Sequence, residues 1–270
     1  MGNTPDLDMF RASVKDFASS LSKKQEVHIH VITPQQVKHA ALSDLLDEHE
    51  KLKKQSFRFN KDRELYQAAH SFLRQTLSHY EPVRPEDWRF NYDNYGKPSI
   101  GNPNHNNLTF NLSHAHSMIA CVVGYQNTLG VDIERHRSLD NFEDMCRLVL
   151  CEHERKHLFS LTPQIQKAMF FRYWALKEAC VKALGQGLTI PLHSLRYKQA
   201  SNNTWQYQLD VAPETRDRLY SFYYDLPQDN YSLAMTAEVS SADDLPDIRL
   251  FDWNDAVSSC HRFNVFPEKN

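Results

Sequence analysis

The sequence carries no excess of basic residues and no long apolar run. In 270 residues, Lys and Arg total 31 against 34 Asp and Glu, which gives a formal net charge of −3. Proteins that bind nucleic acid or a membrane surface usually show a basic excess, so neither partner is predicted. The lack of a run of about 18 apolar residues predicts no transmembrane helix. The polar N-terminus does not resemble a secretory signal.

Cysteine is also scarce, and its distribution argues against a disulfide framework. The five cysteines are odd in number and scattered, and none forms a C-x-x-C pair. Buried free thiols in a reduced environment account for this pattern, so we expect a cytoplasmic protein.

Glycine is scarce enough to be informative. Of seven glycines, six lie between residues 96 and 187. Glycine is needed where the backbone takes a positive φ or lies close to another group. We therefore expect the unusual backbone geometry in the middle of the chain.

The order of predicted elements indicates an α+β protein. A helix or arm over the first 25 residues precedes a strand at 27–33, helices over 34–57 and 61–79, and strands up to residue 133. A helical stretch at 140–159, a long helix over 163–184 and five further strands follow. Each half thus has helices before strands, and we predict a division into residues 1–127 and 128–270.

Two carboxylates, Asp132 and Glu134, are separated by one residue in the segment G-V-D-I-E. In a strand they share one face, while Val131 and Ile133 take the other. Neighbouring carboxylates repel each other unless water or a cation lies between them. The pair suits a Mg²⁺ site, because Mg²⁺ prefers hard oxygen ligands, but also suits two solvated acids at an exposed strand end.

The predicted long helix carries a second group of charged residues. Glu178 and Lys182 fall on one face with Trp174 and Val181. Taken alone, Glu178 and Lys182 could form an ordinary surface ion pair. A carboxylate flanked by Lys177 and Lys182 also suits a site that binds metal and phosphates together.

Two shorter motifs complete the set. Ser113 and His114 are adjacent in a predicted strand, so they face opposite ways and could not easily form a nucleophile–base pair. A hydroxyl and an imidazole just past a strand end serve better as phosphate ligands. The turn Gly96-Lys97-Pro98 fixes one lysine.

These motifs occur in a recognisable order. The segments G-K-P at 96–98, F-N-L-S-H at 110–114, G-V-D-I-E at 130–134 and W-x-x-K-E-A-x-x-K-x-x-G-x-G at 174–187 together resemble the surfactin-type (Sfp-type) 4′-phosphopantetheinyl transferases. The N-terminal half resembles the family more loosely, through Lys51, Lys54, Phe57 and Asp62-Arg63. One departure is His116, a second imidazole where family members more often have Ser-His-Ser.

The resemblance implies a pseudo-two-fold fold with two similar α+β halves, coenzyme A bound between them, and a monomer. It implies Asp132, Glu134 and Glu178 as Mg²⁺ ligands and His114, Lys177 and Lys182 as phosphate contacts. The remaining implied coenzyme A contacts are Ser113 at the nucleotide end, Lys97 beside the adenine, and Lys51, Lys54 and Arg63 at the 3′-phosphate.

The implied reaction transfers phosphopantetheine to a serine of an apo acyl, polyketide or peptidyl carrier protein. The serine attacks the β-phosphorus of coenzyme A, and adenosine 3′,5′-bisphosphate leaves. Asp132, Glu178 and His114 are the implied catalytic residues, and Glu178, directly or through a metal-bound water, is the first candidate for the base.

Two alternatives remain at this point. His153-Glu154-Arg155-Lys156-His157 matches the H-E-x-x-H motif of zinc proteases, and Glu178 lies downstream where a third zinc ligand could be sought. The segment is highly charged, however, whereas a catalytic zinc helix normally lies in an apolar interior. A non-catalytic binder with the same fold would be marked by loss of a metal carboxylate, and all three carboxylates are present.

Overall fold

The computed structural model describes residues 26–39, 45–105, 107–125, 128–199, 206–209, 218–226, 230–239, 245–254 and 259–263. The predicted helix or arm at residues 1–25 lies outside them. The chain forms two units: the first holds Met1–Tyr92, Pro98–Gln126 and Pro246–Asn264, and the second holds Asp93–Lys97, Asn127–Leu245 and Val265–Asn270. No helix among the described residues has the length and apolar character needed to cross a membrane.

The described elements confirm the predicted α+β class. The helices are α1 (Pro34–His39), α2 (Glu48–Ser56), α3 (Asn60–Leu77), α4 (Phe142–Val149), α5 (Glu152–Ser160) and α6 (Pro163–Leu184). The strands are β1 (Glu26–Ile32), β2 (Phe90–Tyr92), β3 (Pro98–Ile100), β4 (Leu108–Ala115), β5 (Met118–Tyr125), β6 (Leu129–Arg135), β7 (Tyr197–Gln199), β8 (Gln206–Leu209), β9 (Arg218–Leu226), β10 (Tyr231–Val239), β11 (Asp247–Asp252) and β12 (Ser259–Phe263).

The first unit is built on a five-stranded sheet with the order β12-β11-β1-β5-β4. β1 pairs antiparallel with β5 and parallel with β11. The apolar face of α3 shares one core with β4 and β5, in which Phe72 and Leu73 lie with Phe110 and Ile119. That face is the helical periodicity that the sequence predicts.

Residues 246–264 return to the first unit, and here the structure departs from the predicted division into 1–127 and 128–270. β11 lies beside β1 because Val27 pairs with Ile248 and His30 with Phe251. Pairing between strands so far apart in the sequence leaves no sign in the order of the elements.

A buried chain of hydrogen bonds crosses the first unit. The Tyr80 hydroxyl lies 2.8 Å from Nδ1 of His28 and 2.5 Å from Nε2 of His30. The indole N–H of Trp253 donates to Nδ1 of His30 over 3.0 Å. Nε2 of His28 lies 3.3 Å from the carboxylate of Glu26. Both histidines are completely buried, so β1 is joined to the segment after β11 by polar contacts in the interior.

The second unit is built on an antiparallel sheet with the order β6-β10-β9-β8-β7. The helix α6 packs on this sheet through Ala175, Leu176 and Ala179, which share a core with Tyr223 and Ala234. A second core joins α4 and α5 to α6.

The helices of the second unit test two predictions. α6 begins at Pro163 and ends at Leu184, and the C-cap Gly185 that follows has a left-handed φ of 68°, as predicted. The predicted helical stretch at 140–159 is instead two helices, because the backbone is extended at Leu150 and Cys151.

Candidate functional site

Gly130 allows β6 and α6 to approach each other at backbone distance. A Cβ atom at this position would lie 2.0 Å from the carbonyl oxygen of Ala179 and 2.5 Å from the backbone nitrogen of Ala183. Only glycine avoids this overlap. Side chains alternate along a strand, so Asp132 and Glu134 project to the same face of β6 as Gly130, toward α6.

The helix α6 supplies the other half of this site. A Cβ atom at Gly130 would meet Ala179 and Ala183 of α6. Glu178 and Lys182 directly precede these two alanines, so both lie beside β6. The ammonium of Lys182 donates to Oδ1 of Asp132 over 2.7 Å. Asp132 is only 4% exposed, whereas the side chain of Lys182 is 29% exposed, so only the carboxylate end of this ion pair is shielded from solvent.

Burial and mutual repulsion change the acidity of the two glutamates. Burial, and then the charge of Asp132, raises the pKa of Glu134 to about 7, although Arg137 and Lys182 oppose the rise. Burial and Asp132 also raise the pKa of Glu178, again against Lys182. Because Asp132 acts on both glutamates, the three carboxylates form one electrostatic site.

Arg137 belongs to this site and was missed by the sequence reasoning. Its guanidinium donates to Glu134 over 3.2 Å and lies 5.5 Å and 5.9 Å from the ring centres of Phe171 and Trp174. Cation–π contacts with these two rings therefore hold the Arg137 guanidinium beside the carboxylate of Glu134. The signal in the sequence was an opposite charge three residues after Glu134.

The donor set suits a hard divalent cation, since all three predicted ligands are carboxylates. Their side chains do not converge into a cage: among the described residues, no three His, Cys, Asp or Glu side chains are grouped closely enough to hold a metal ion. Lys182 takes one oxygen of Asp132. The chemistry of the residues fits Mg²⁺, and the predicted ligand role of Asp132, Glu134 and Glu178 stays a prediction.

Lys97 joins the ends of the two elements that carry the carboxylates. Its ammonium donates to the carbonyl oxygens of Ala183 over 2.8 Å and Leu129 over 3.3 Å. Burial lowers its pKa. The predicted contact with adenine stays a prediction, and the structure adds that Lys97 ties the C-terminal end of α6 to the start of β6.

Lys177 lies away from this site, and its predicted contact with phosphates stays a prediction. It is completely buried, and its ammonium lies 2.6 Å from the carboxylate of Glu154. It also donates to the carbonyl oxygens of Leu192 over 3.1 Å and Leu195 over 2.8 Å. Sequence reasoning could not foresee this placement, because it depends on a partner in another helix.

The same contacts argue against the zinc-protease hypothesis. Glu154, the glutamate of H-E-x-x-H, accepts from the backbone N–H of Cys151 and Tyr197 over 2.9 and 3.1 Å, in addition to Lys177. A glutamate buried in these contacts cannot act as a general base toward a zinc-bound water. His157 lies 3.0 Å from the Tyr173 hydroxyl.

Ser113 and His114 lie near the end of β4 in the first unit. Ser113 is 5% exposed and His114 is half-buried, on opposite faces as strand alternation predicts. The next turn contains His116, whose φ of 52° is left-handed. His116 therefore occupies the hairpin turn between β4 and β5, where Ala115 pairs with Met118.

Three further predicted contacts lie on α2 and at the start of α3, also in the first unit. Lys51 is exposed and pairs with Glu48 over 2.7 Å. Lys54 donates to Gln67 over 2.5 Å, and Arg63 donates to the carbonyl oxygen of Phe57 over 2.8 Å.

The structure thus divides the predicted set. It brings Asp132, Glu134, Glu178 and Lys182 together in the second unit, with Lys97 at the adjoining ends of β6 and α6. Lys177 lies elsewhere in the second unit. The predicted contacts of the first unit are Ser113, His114, Lys51, Lys54 and Arg63.

Comparison with known proteins identifies both parts of the chain. Residues 128–236 match the family described as the 4′-phosphopantetheinyl transferase superfamily. Residues 32–126 match the family described as 4′-phosphopantetheinyl transferase, N-terminal. The first match contains the three carboxylates and Lys182, and the second contains Ser113 and His114.

Individual relatives match over part of their length. The chain is 36% identical over 98 residues to the 4′-phosphopantetheinyl transferase HetI of a Nostoc species, covering 36% of this chain and 41% of the relative. It is 29% identical over 143 residues to a 4′-phosphopantetheinyl transferase of Bacillus subtilis, covering 53% and 60%. The chain thus spans about half the length of these curated relatives.

One solved structure is also similar: a holo-(acyl-carrier-protein) synthase from Bacillus anthracis in complex with CoA (3′,5′-ADP). The identity is 19%, the TM-score is 0.36, and the match covers 42% of this chain and 96% of that one. The adjacent family matches over residues 32–126 and 128–236 show that the chain belongs to the 4′-phosphopantetheinyl transferase family.

Proposed function

We propose that this protein transfers 4′-phosphopantetheine from coenzyme A to a serine of an apo carrier protein and releases adenosine 3′,5′-bisphosphate. The family matches over both parts of the chain support this activity. We also propose the surfactin-type subclass, on the order of the four motifs and the 26% identity to the Sfp protein of Bacillus subtilis.

The observation that carries the proposal is the group of charges between β6 and α6. Burial, and then the charge of Asp132, raises the pKa of both Glu134 and Glu178. Burying like charges together destabilises the folded protein, and a bound cation offsets their repulsion. Such groups therefore occur often at functional sites. A site for a cation and a polyphosphate gives this arrangement a function.

The proposed mechanism assigns a task to each residue of the group. Asp132, Glu134 and Glu178 would hold Mg²⁺, which when bound neutralises charge on the transferred and leaving phosphates. Lys182 can exchange its Asp132 partner for a phosphate oxygen, since its side chain is 29% exposed. Glu178, directly or through a metal-bound water, is the proposed acceptor of the serine proton.

The residues of the first unit are proposed to bind coenzyme A. His114 would contact the pyrophosphate and Ser113 the nucleotide end. Lys51, Lys54 and Arg63 would contact the 3′-phosphate. Lys54 donates to the side chain of Gln67, and Arg63 donates to the carbonyl oxygen of Phe57. Both acceptors are neutral, so a phosphate can displace them. The monomeric state and the cytoplasmic location stay predictions.

The proposal is tested by incubating the purified protein with coenzyme A, Mg²⁺ and a panel of apo acyl, polyketide and peptidyl carrier proteins. Mass spectrometry should find one phosphopantetheine added to at least one carrier, on its serine. The control omits coenzyme A. A protein that binds coenzyme A and modifies no carrier would instead be a non-catalytic binder.

The zinc-protease alternative is tested in the same preparation. Replacing His153 and His157 with alanine should leave transfer unchanged within about twofold, because both residues are exposed and neither is among those proposed to bind Mg²⁺ or coenzyme A. Zinc-dependent peptide cleavage that disappears in this variant would contradict the proposal.

A further inference from the structure

The buried ion pair between Glu154 and Lys177 connects three parts of the second unit. Neither side chain has any exposed surface, and the charged groups are 2.6 Å apart. Lys177 also donates to the carbonyl oxygens of Leu192 and Leu195. Glu154 accepts from the backbone N–H of Tyr197 over 3.1 Å. The pair thus joins α5, α6 and the chain that enters β7.

This pair lies on the side of α6 that faces away from β6. A helix advances about 100° per residue, so Lys177 projects about 140° from the direction midway between Ala179 and Ala183. Those two alanines meet Gly130 of β6. The helix is therefore fixed on two opposite sides, by backbone packing at Gly130 and by the ion pair at Lys177.

Fixing both sides sets the rotation of α6 about its axis. Glu178 and Lys182 project between the two fixed sides, about 120° from Lys177. A small rotation of the helix would carry both side chains away from Asp132. The apolar core that contains Leu176 and Ala179 also resists rotation. The ion pair adds a buried charged contact on the side away from β6, and a rotation of the helix would break it.

We propose that Lys177 is a positioning residue: its buried pair with Glu154 sets the rotation of α6 and so holds Glu178 beside Asp132. The inference rests on the proposed function, because it gives the lysine of the W-x-x-K-E segment a role in building the cation site. It also gives a role to the glutamate of the H-E-x-x-H segment, which the transfer reaction does not use.

The competing role is direct contact of Lys177 with a phosphate of coenzyme A. Such contact would remove Lys177 from Glu154 and leave a buried, uncompensated carboxylate, which is strongly unfavourable. It would also require the side chain to reach the face of α6 that carries Glu178. The burial of both partners therefore favours positioning over contact.

The test uses a charge-neutral rescue. Lys177→Met leaves Glu154 buried without its counter-charge, whereas the double variant Glu154→Gln/Lys177→Met removes both charges and keeps an acceptor for the N–H of Tyr197. Lys156→Met is the matched control, since Lys156 lies exposed on the same helix as Glu154. Leu158→Ala is the control for instability, since it removes a completely buried apolar side chain of α5 and changes no charge.

Binding and turnover are measured separately on folded protein. Mn²⁺ affinity is read by electron paramagnetic resonance, and kcat and the KM for coenzyme A are read with an apo carrier. Lys177→Met should weaken Mn²⁺ binding and lower kcat by about tenfold or more, with the KM for coenzyme A within about threefold. The double variant should recover both to within about threefold. Both control variants should keep wild-type Mn²⁺ affinity.

Several outcomes would overturn the inference. One is a double variant with wild-type Mn²⁺ affinity whose KM for coenzyme A rises by about tenfold or more, which would indicate direct contact. Another is a Lys177→Met variant with unchanged Mn²⁺ affinity, or a wild-type chain that binds no Mn²⁺. If Lys177→Met does not fold, Glu154→Gln alone must bind Mn²⁺ more weakly than the double variant.

The same data separate this inference from the proposed function. A wild-type chain that binds Mn²⁺, loses that binding in Lys177→Met and regains it in the double variant supports positioning. If that chain modifies no carrier in the panel, the proposed transfer activity is wrong while the positioning role stands.

Discussion

At the scale of single residues, Gly130 has the most restrictive surroundings. Gly130→Ala should cost about 3 kcal/mol of unfolding free energy or prevent folding, because the new Cβ would overlap the backbone of Ala179, which cannot move aside as a flexible side chain could. Urea unfolding at equilibrium measures the loss. Gly101→Ala is the control, since its Cβ would meet mainly the side chain of Asn91, at 3.1 Å. Equal losses in the two variants would contradict this account.

Asp132 is the residue on which the cation site most depends. Asp132→Asn keeps the shape of the side chain and removes its charge, so transfer should fall by about 100-fold or more while coenzyme A binding weakens less. Added EDTA should abolish wild-type transfer, and excess Mg²⁺ should restore it. Asp144→Asn, an exposed change on α4, should have no effect. Full transfer by Asp132→Asn would remove the metal argument.

The sequence predicts these residues unequally well. The shared face of Asp132 and Glu134 follows from strand alternation, a local rule that needs no partner. Glu178 required the family resemblance, because its neighbours in space come from another element. The buried contact between Lys177 and Glu154 was not predicted, since nothing in the local pattern of Lys177 shows that Glu154 lies opposite it.

At the scale of elements, a buried ionic network joins α2 to α3 in the first unit. Glu50 is completely buried and accepts from Arg74 over 2.6 Å and from His70 over 2.7 Å. Burial acts to raise the pKa of Glu50, but the hydrogen bond and charge of His70 and the charge of Arg74 lower it overall. The network fixes the helix that carries Lys51 and Lys54.

Glu50→Gln should therefore destabilise the protein by about 3 kcal/mol, because it removes the buried counter-charge of Arg74 and leaves only the partly exposed Asp47 as its carboxylate partner. Chemical denaturation monitored by circular dichroism gives the difference. Glu48→Gln on the same helix is the matched control, since Glu48 is 86% exposed. A comparable loss in the control would show that the charge of α2, and not the network, matters.

Most elements were predictable, and their partners were not. The amphipathic α3 and the capped α6 agree closely with their predicted limits, because periodicity and terminal residues are local signals. The predicted helix over 34–57 is instead α1 and α2, with the N-cap Asp47 beginning the second, and residues 40–44 lie outside the described residues. The return of β11 to β1 is a long-range pairing that no local pattern encodes.

At the scale of the whole molecule, buried histidines make stability depend on pH. Burial lowers the pKa of His28 to about 3 and of His79 to about 4, and lowers that of His30 well below its ordinary value. The unfolded chain thus binds more protons than the folded one below about pH 6.5, so stability falls as the pH falls through this range. Glu134 acts in the opposite sense, because its pKa is raised.

The histidine contribution can be isolated by substitution. His79→Gln should reduce the loss of unfolding free energy between about pH 7 and pH 5 by about 2 kcal/mol relative to wild type. The measurement is the urea midpoint at several pH values. His153→Ala, which changes an exposed histidine, should leave the pH dependence as it is in wild type. Parallel curves for wild type and His79→Gln would be the contrary result.

The hydrogen-bonded chain in the first unit also has a direction. An indole N–H can only donate, so Nδ1 of His30 must accept from Trp253, and the proton of His30 must reside on Nε2, facing Tyr80. The Tyr80 hydroxyl then donates a hydrogen bond to Nδ1 of His28, and the Nε2–H of His28 donates to Glu26. One tryptophan near the C-terminal end of the chain thereby selects the tautomer of two histidines in the first strand.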